Sequence, residues 1–152
     1  MTDRRIALLL TRPLAQSKGF VNLFEGVSQP SPIHICISPL FEIIFQGPLP
    51  DMSPYRSLIF TSSNGVRAFS QLKPSSILPS FTVGKVTAET AISVGLPAQM
   101  LGLDVQDFTE AILSLKPETP CLHLRGDISR SALATQLSNA GLATDEAIVY
   151  RQ

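Results

Sequence analysis

The sequence is short of charge, cysteine, histidine and aromatic rings, and each shortage excludes something. Only 16% of its 152 residues are charged, and 12 Lys plus Arg balance 12 Asp plus Glu. A chain of net charge near zero has no field for steering a polyanion, so nucleic acid is not an expected partner. An anionic ligand would have to be held by local dipoles rather than by a basic surface. The two cysteines, Cys36 and Cys121, stand far apart in apolar runs. Without a CxxC pair they read as buried thiols of a reducing compartment. The two histidines, His34 and His123, lie inside strand patterns and read as packed or edge residues. No Cys/His spacing suits zinc, so no metal is expected. The phosphate-binding patterns GxxxxGK[ST] and GxGxxG are absent, as is the GxSxG of a hydrolase elbow. No apolar run reaches membrane length, and IALLLT near the N-terminus is too short for a signal-peptide core. The protein is expected in the cytoplasm, away from membranes.

What the chain does have is apolar residues, 44% of the total, in a regular arrangement. Strand-length runs at 5–11, 33–38, 57–61, 81–83, 98–101, 121–124 and 146–150 alternate with helical patterns at 14–25, 64–72, 87–94, 105–115 and 130–140. Runs such as IALLL and SLIF are near-continuously apolar, as strands covered on both faces are. The alternation predicts an α/β fold with a doubly wound parallel sheet. Gly26, Gly95 and Gly141 each follow a helical pattern, and Pro13 suits a first helical turn. FQGPLPDMSP, at 45–54, holds three prolines and a glycine and reads as a connection between units. The long apolar IHICISPLFEIIF before it reads as one strand crossing from one domain towards another.

Polar residues cluster where predicted strands end. In LIFTSSNGVRAF the apolar run stops at Thr61, Ser62, Ser63, Asn64 and Gly65, and a helical pattern begins at once. A hydroxyl cap on the helix accounts for these residue types by itself. The same N–H groups can also hold a carboxylate, and ligands of doubly wound sheets bind at the carboxyl ends of strands. FTVGKVTAETA repeats the design with Gly84 and Thr87. LRGDISR makes a third turn with Gly126, flanked by Arg125 and Arg130, which read as surface charges. Tyr150 closes the last strand in AIVYRQ.

In this order, LLLTRP, ISPLFEI, LIFTSSNGVRAF, FTVGKVTAETAISVGL, a strand–Gly–Arg unit and IVYRQ, the strings resemble uroporphyrinogen-III synthases over nearly the whole chain. The resemblance implies two flavodoxin-like α/β domains joined by a two-stranded ladder, the second inserted into the first. It places the first strand–helix–strand of one domain at 1–38, the inserted domain at 39–146 and a return strand at 147–152. The implied reaction closes linear hydroxymethylbilane into uroporphyrinogen III, with loss of water and inversion of the last ring. No cofactor or metal is implied. The implied enzyme is a monomer that receives its substrate from hydroxymethylbilane synthase. Residue by residue, Ser62, Ser63 and Asn64, with Thr61 before them, match the family's hydroxyl-rich turn facing the substrate. Gly84, Thr87 and Ala88 match its second turn, with Thr87 among the implied catalytic groups. Gly126 falls in the third turn. Tyr150 matches the tyrosine implied to assist departure of the hydroxyl group, and Arg12 sits in the Thr-Arg-Pro turn that can meet a carboxylate. The family pattern continues beyond VYRQ whereas this sequence stops at Gln152, so turnover by this chain is expected to be weak or absent.

Overall fold

The computed structural model describes residues 6–27, 33–74, 77–128 and 131–152. The chain divides into two compact units, residues 1–43 with Gln152, and residues 44–151.

In the first unit β1 (Ile6–Leu10) runs parallel to β2 (Ile33–Ile37), in register from Ile6↔Ile33 to Leu10↔Ile37, with α1 (Leu14–Val27) between them in sequence. Gln16 N and Ser17 N donate to Pro13 O, so Pro13 opens the helix where its missing N–H is not needed. Phe20 and Phe24, one turn apart, stack at 6.1 Å. Two strands and one helix cover little surface. Ile6 and Leu9 are more than half exposed. Cys36 is exposed too, which corrects the expectation of a buried thiol there.

The expected long crossing strand is interrupted. β2 ends at Ile37, and residues 38–43 join no ladder apart from the Ser38 N–H to Leu10 O bond (2.9 Å) and the Leu40 N–H to Thr11 O bond (3.1 Å). Pro39 has no N–H to give a ladder and biases the residue before it, which breaks the run. The strand resumes as β3 (Ile44–Phe45).

The second unit contains β3, β4 (Ser57–Phe60), α2 (Ser63–Gln71), β5 (Ser80–Val83), α3 (Lys85–Ser93), β6 (Ala98–Gly102), α4 (Val105–Leu115), β7 (Cys121–Gly126), α5 (Leu133–Asn139) and β8 (Thr144–Arg151). One sheet takes in all its strands in the order β3-β8-β7-β4-β5-β6, and every pairing is parallel except β3 with β8. The doubly wound class is the expected one. Counted from β4, the parallel strands lie 3-2-1-4-5, an order shared with dinucleotide-binding folds and distinct from the 2-1-3-4-5 of flavodoxin. Alternation along a chain does not encode which side each crossover takes. The order reverses between β4 and β7, which makes their carboxyl ends the switch point.

All four residues of β4 are buried. Successive side chains point to opposite faces, so Ile59 and Phe60 enter different layers. Ile59 joins Phe81, Cys121, Phe108 and Ile112 of α4, and Leu133 and Leu137 of α5. Phe60 meets Phe69 of α2 edge-on at 5.8 Å. Helices α2 and α3 thus pack together on one face, and α4 and α5 on the other. Burial pushes the Cys121 thiol up, away from the reactive thiolate. Among the described residues no helix is long and apolar enough to cross a membrane.

Candidate functional site

The polar turns picked out in the sequence lie at the carboxyl ends of the parallel strands. After β4 the chain passes Thr61 and reaches Ser62, whose φ of −152° and ψ of 140° place it as the N-cap of α2. Its hydroxyl accepts the Asn64 N–H at 3.2 Å, and its carbonyl accepts Gly65 N at 3.1 Å. Thr61, Ser62, Ser63 and Asn64 are all half-buried, so their polar atoms remain within reach of solvent. Gly65 lets this turn sit directly on β7. A Cβ there would lie 2.7 Å from the Leu124 carbonyl oxygen, closer than packing allows.

The second turn is built differently. Gly84 has φ +75°, a left-handed conformation natural to glycine, and caps α3 with no side chain. Its N–H donates to Gly102 O at 2.8 Å and its carbonyl accepts from Ala88 N at 3.2 Å. The helix starts at Lys85, two residues earlier than the sequence pattern places it, because a bare glycine gives no capping signal. Thr87 and Ala88 are buried on its inner face.

At the third turn the β7–β8 register shifts between Arg125 and Gly126, which brings Gly126 opposite Tyr150. The Tyr150 ring lies over the glycine: a Cβ on Gly126 would be 2.6 Å from Cε2 and 3.0 Å from Oη. Tyr150 is almost fully buried. Its carbonyl accepts the Asp127 N–H at 3.0 Å, which ties the loop after β7 to β8.

Arg125 is not the loose surface charge the sequence suggests. It pairs with Glu146 at 2.6 Å and its Nη1 donates to Gly126 O at 2.8 Å. The guanidinium holds the Glu146 carboxyl below its usual range, chiefly through that hydrogen bond, and Glu146 in turn raises Arg125. A cation so engaged shapes the turn instead of waiting for an external anion. Arg130 lies outside the described residues.

One contact was missed in the sequence. His123 Nε2 and Thr61 Oγ1 are 3.2 Å apart, and His123 is buried. Burial pushes its imidazole down to about 4, with Glu146 pulling up and Arg125 pulling down more weakly. The histidine is therefore neutral at ordinary pH. It is packed, as expected, but its partner is a residue of the first polar turn.

Thr61 to Asn64, Gly84, Thr87, Ala88, Gly126 and Tyr150 thus occupy one end of the second unit's sheet, and Gly126 touches Tyr150. No hydrogen bond joins Thr87 to Tyr150 among the described residues. Arg12 is exposed in the first unit, where its carbonyl accepts the Ser17 hydroxyl at 2.9 Å. Among the described residues no group of three or more His, Cys, Asp or Glu side chains is placed to hold a metal ion.

A family profile described as uroporphyrinogen-III synthase HemD matches residues 33–152. The chain belongs to the uroporphyrinogen-III synthase family. Solved structures of such proteins share its fold. The uroporphyrinogen-III synthetase of Helicobacter pylori is similar at a TM-score of 0.62 and 24% identity, over 82% of this chain and 57% of that one. A mutant uroporphyrinogen III synthase of Thermus thermophilus is similar at a TM-score of 0.58 and 16% identity, over 96% of this chain and 62% of that one. The chain therefore spans about three-fifths of the length of the synthases it matches. No match is found among curated proteins.

Proposed function

We propose that the protein carries out the family reaction, closing hydroxymethylbilane to uroporphyrinogen III, a lyase step of tetrapyrrole synthesis. The observation that supports this most is the family match over a segment that includes every polar strand-end turn of the second unit. Those turns present hydroxyls and backbone N–H groups, which suits a neutral chain acting on a polycarboxylate. Thr61, Ser62, Ser63, Asn64, Gly84, Ala88 and Gly126 bind substrate carboxylates, and Arg12 is a further substrate-binding residue. Tyr150 gives a proton to the departing hydroxyl of the bilane, so that water leaves and an azafulvene cation remains. Thr87 assists at the same centre. The rest of the rate comes from folding the bilane so that its ends meet. The inserted domain is proposed at 39–146 and the return strand at 147–152, a strand that continues β8 within the same compact unit to Arg151. The substrate arrives from hydroxymethylbilane synthase, and the protein works in the cytoplasm as a monomer.

A second reading draws on the same polar strand-end turns, whose hydroxyls and helix N–H groups can hold an anion without doing chemistry. It makes the protein a non-catalytic anion- or tetrapyrrole-binding module. Hydroxymethylbilane closes spontaneously to the type I isomer, so isomer analysis separates the readings. Type III product supports the synthase. Type I product alone, together with saturable uroporphyrin binding, supports the module.

A further inference from the structure

The contact between Thr61 and His123 has a direction, and the direction decides what Thr61 can bind. Either Thr61 donates its proton to a bare Nε2, or Nε2–H donates to the Thr61 oxygen. In the first case Thr61 faces outward only as an acceptor. In the second its hydroxyl proton is free for a ligand. A neutral imidazole carries one N–H, so the choice leaves Nδ1 either as that N–H or as the bare nitrogen.

Nδ1 is buried and has no partner among the described residues. His123 stands opposite Glu146 of β8 in the register, but the Oε1 of that carboxylate is held by Arg125 at 2.6 Å. On the other side it stands opposite Ile59 of β4, which offers no polar side-chain atom. A buried N–H without an acceptor loses its full hydration, and orphaned N–H groups are rarer in proteins than under-used acceptors. The bare form of Nδ1 is favoured, and Nε2 carries the proton.

We propose that His123 is a positioning residue that, as the Nε2–H tautomer, donates to Thr61 Oγ1 and turns the Thr61 hydroxyl proton towards a substrate carboxylate at the end of β4. The opposite tautomer would have suited a pyrrole N–H instead. This rests on the reading of Thr61 as a substrate contact. It adds a residue on the neighbouring strand and the chemical class of the group Thr61 receives.

The test begins with the tautomer itself. Protein with nitrogen-15 histidine gives long-range proton–nitrogen correlations that separate bare from protonated ring nitrogens, and His123→Gln identifies the His123 signals against those of His34. The expected result near neutral pH is a protonated Nε2 and a bare Nδ1. A protonated Nδ1 overturns the proposal. The second arm measures uroporphyrin binding and, where turnover is present, KM and kcat for hydroxymethylbilane. Thr61→Val should weaken uroporphyrin binding, or raise KM, by about tenfold with a smaller change in kcat. Binding of uroporphyrin octamethyl ester, which lacks the carboxylates, should not respond. His123→Gln, which keeps a donor in place of Nε2, should retain more affinity than His123→Phe. Equal losses in both His123 variants, or equal losses for ester and acid in Thr61→Val, would overturn it. The tautomer is read without turnover, so absent cyclisation with the expected tautomer counts against the synthase reading alone.

Discussion

Acid should destabilise the second unit through His123 before any carboxylate takes part. Burial lowers its imidazole to about 4 from an ordinary value of 6.5. In the unfolded chain the ring takes a proton as pH falls through 6.5, while in the folded chain it stays neutral until about 4. The unfolded state therefore binds more protons across that window, and stability falls as pH falls through it. Between about pH 7 and pH 5 the loss is about 2 kcal/mol, and it levels off near 3 kcal/mol below about pH 4. For a chain of this size 2 kcal/mol corresponds to a drop in Tm of roughly 4–8 °C. Glu146, held below its usual 4.5 by Arg125, contributes stability that is present above 4.5 and lost only below it, so its part comes later. Denaturant unfolding of the protein and of His123→Gln across this range isolates the histidine, because glutamine does not titrate. The protein should lose about 2 kcal/mol more than the variant between about pH 7 and pH 5. Identical pH profiles for the two would refute the reasoning.

Other substitutions test the close contacts. Gly65→Ala pushes a methyl group to within 2.7 Å of the Leu124 carbonyl and should destabilise the second unit by about 2 kcal/mol in urea unfolding; an unchanged midpoint would mean that α2 does not sit on β7 as described. Gly126→Ala places its Cβ 2.6 Å from the Tyr150 ring, so the ring must move. The sequence has no tryptophan and two tyrosines, so tyrosine fluorescence should report the displacement, and any cyclisation should fall by more than the stability loss explains. Tyr150→Phe should lower kcat for hydroxymethylbilane by about tenfold or more while KM changes little; an unchanged rate removes Tyr150 from the chemistry.

Much of the frame was legible because local physics fixes it. SLIF, near-continuously apolar, is the central strand buried on both faces, and the Ser62 cap forms where the hydroxyl cluster predicts one. Other features depended on partners distant in the chain. His123 stands 62 residues from Thr61, and an isolated histidine in an apolar strand gives no sign of which strand end it will meet. Arg125 likewise needed Glu146 on β8 before it could be told from a surface charge. The strand order follows from the crossovers, not from any single segment. Cys36 misled because its strand belongs to a two-stranded sheet that leaves side chains exposed, and IHICISPLFEIIF misled because hydropathy does not register the break at Pro39.

The central proposal is that this chain closes hydroxymethylbilane with inversion of one ring. The direct measurement incubates purified protein with freshly made hydroxymethylbilane, oxidises the products to porphyrins and separates the isomers chromatographically. Uroporphyrin III above the protein-free control, even at a slow rate, is the predicted result. Type I isomer alone, at the rate of the control and at every protein concentration, would contradict it.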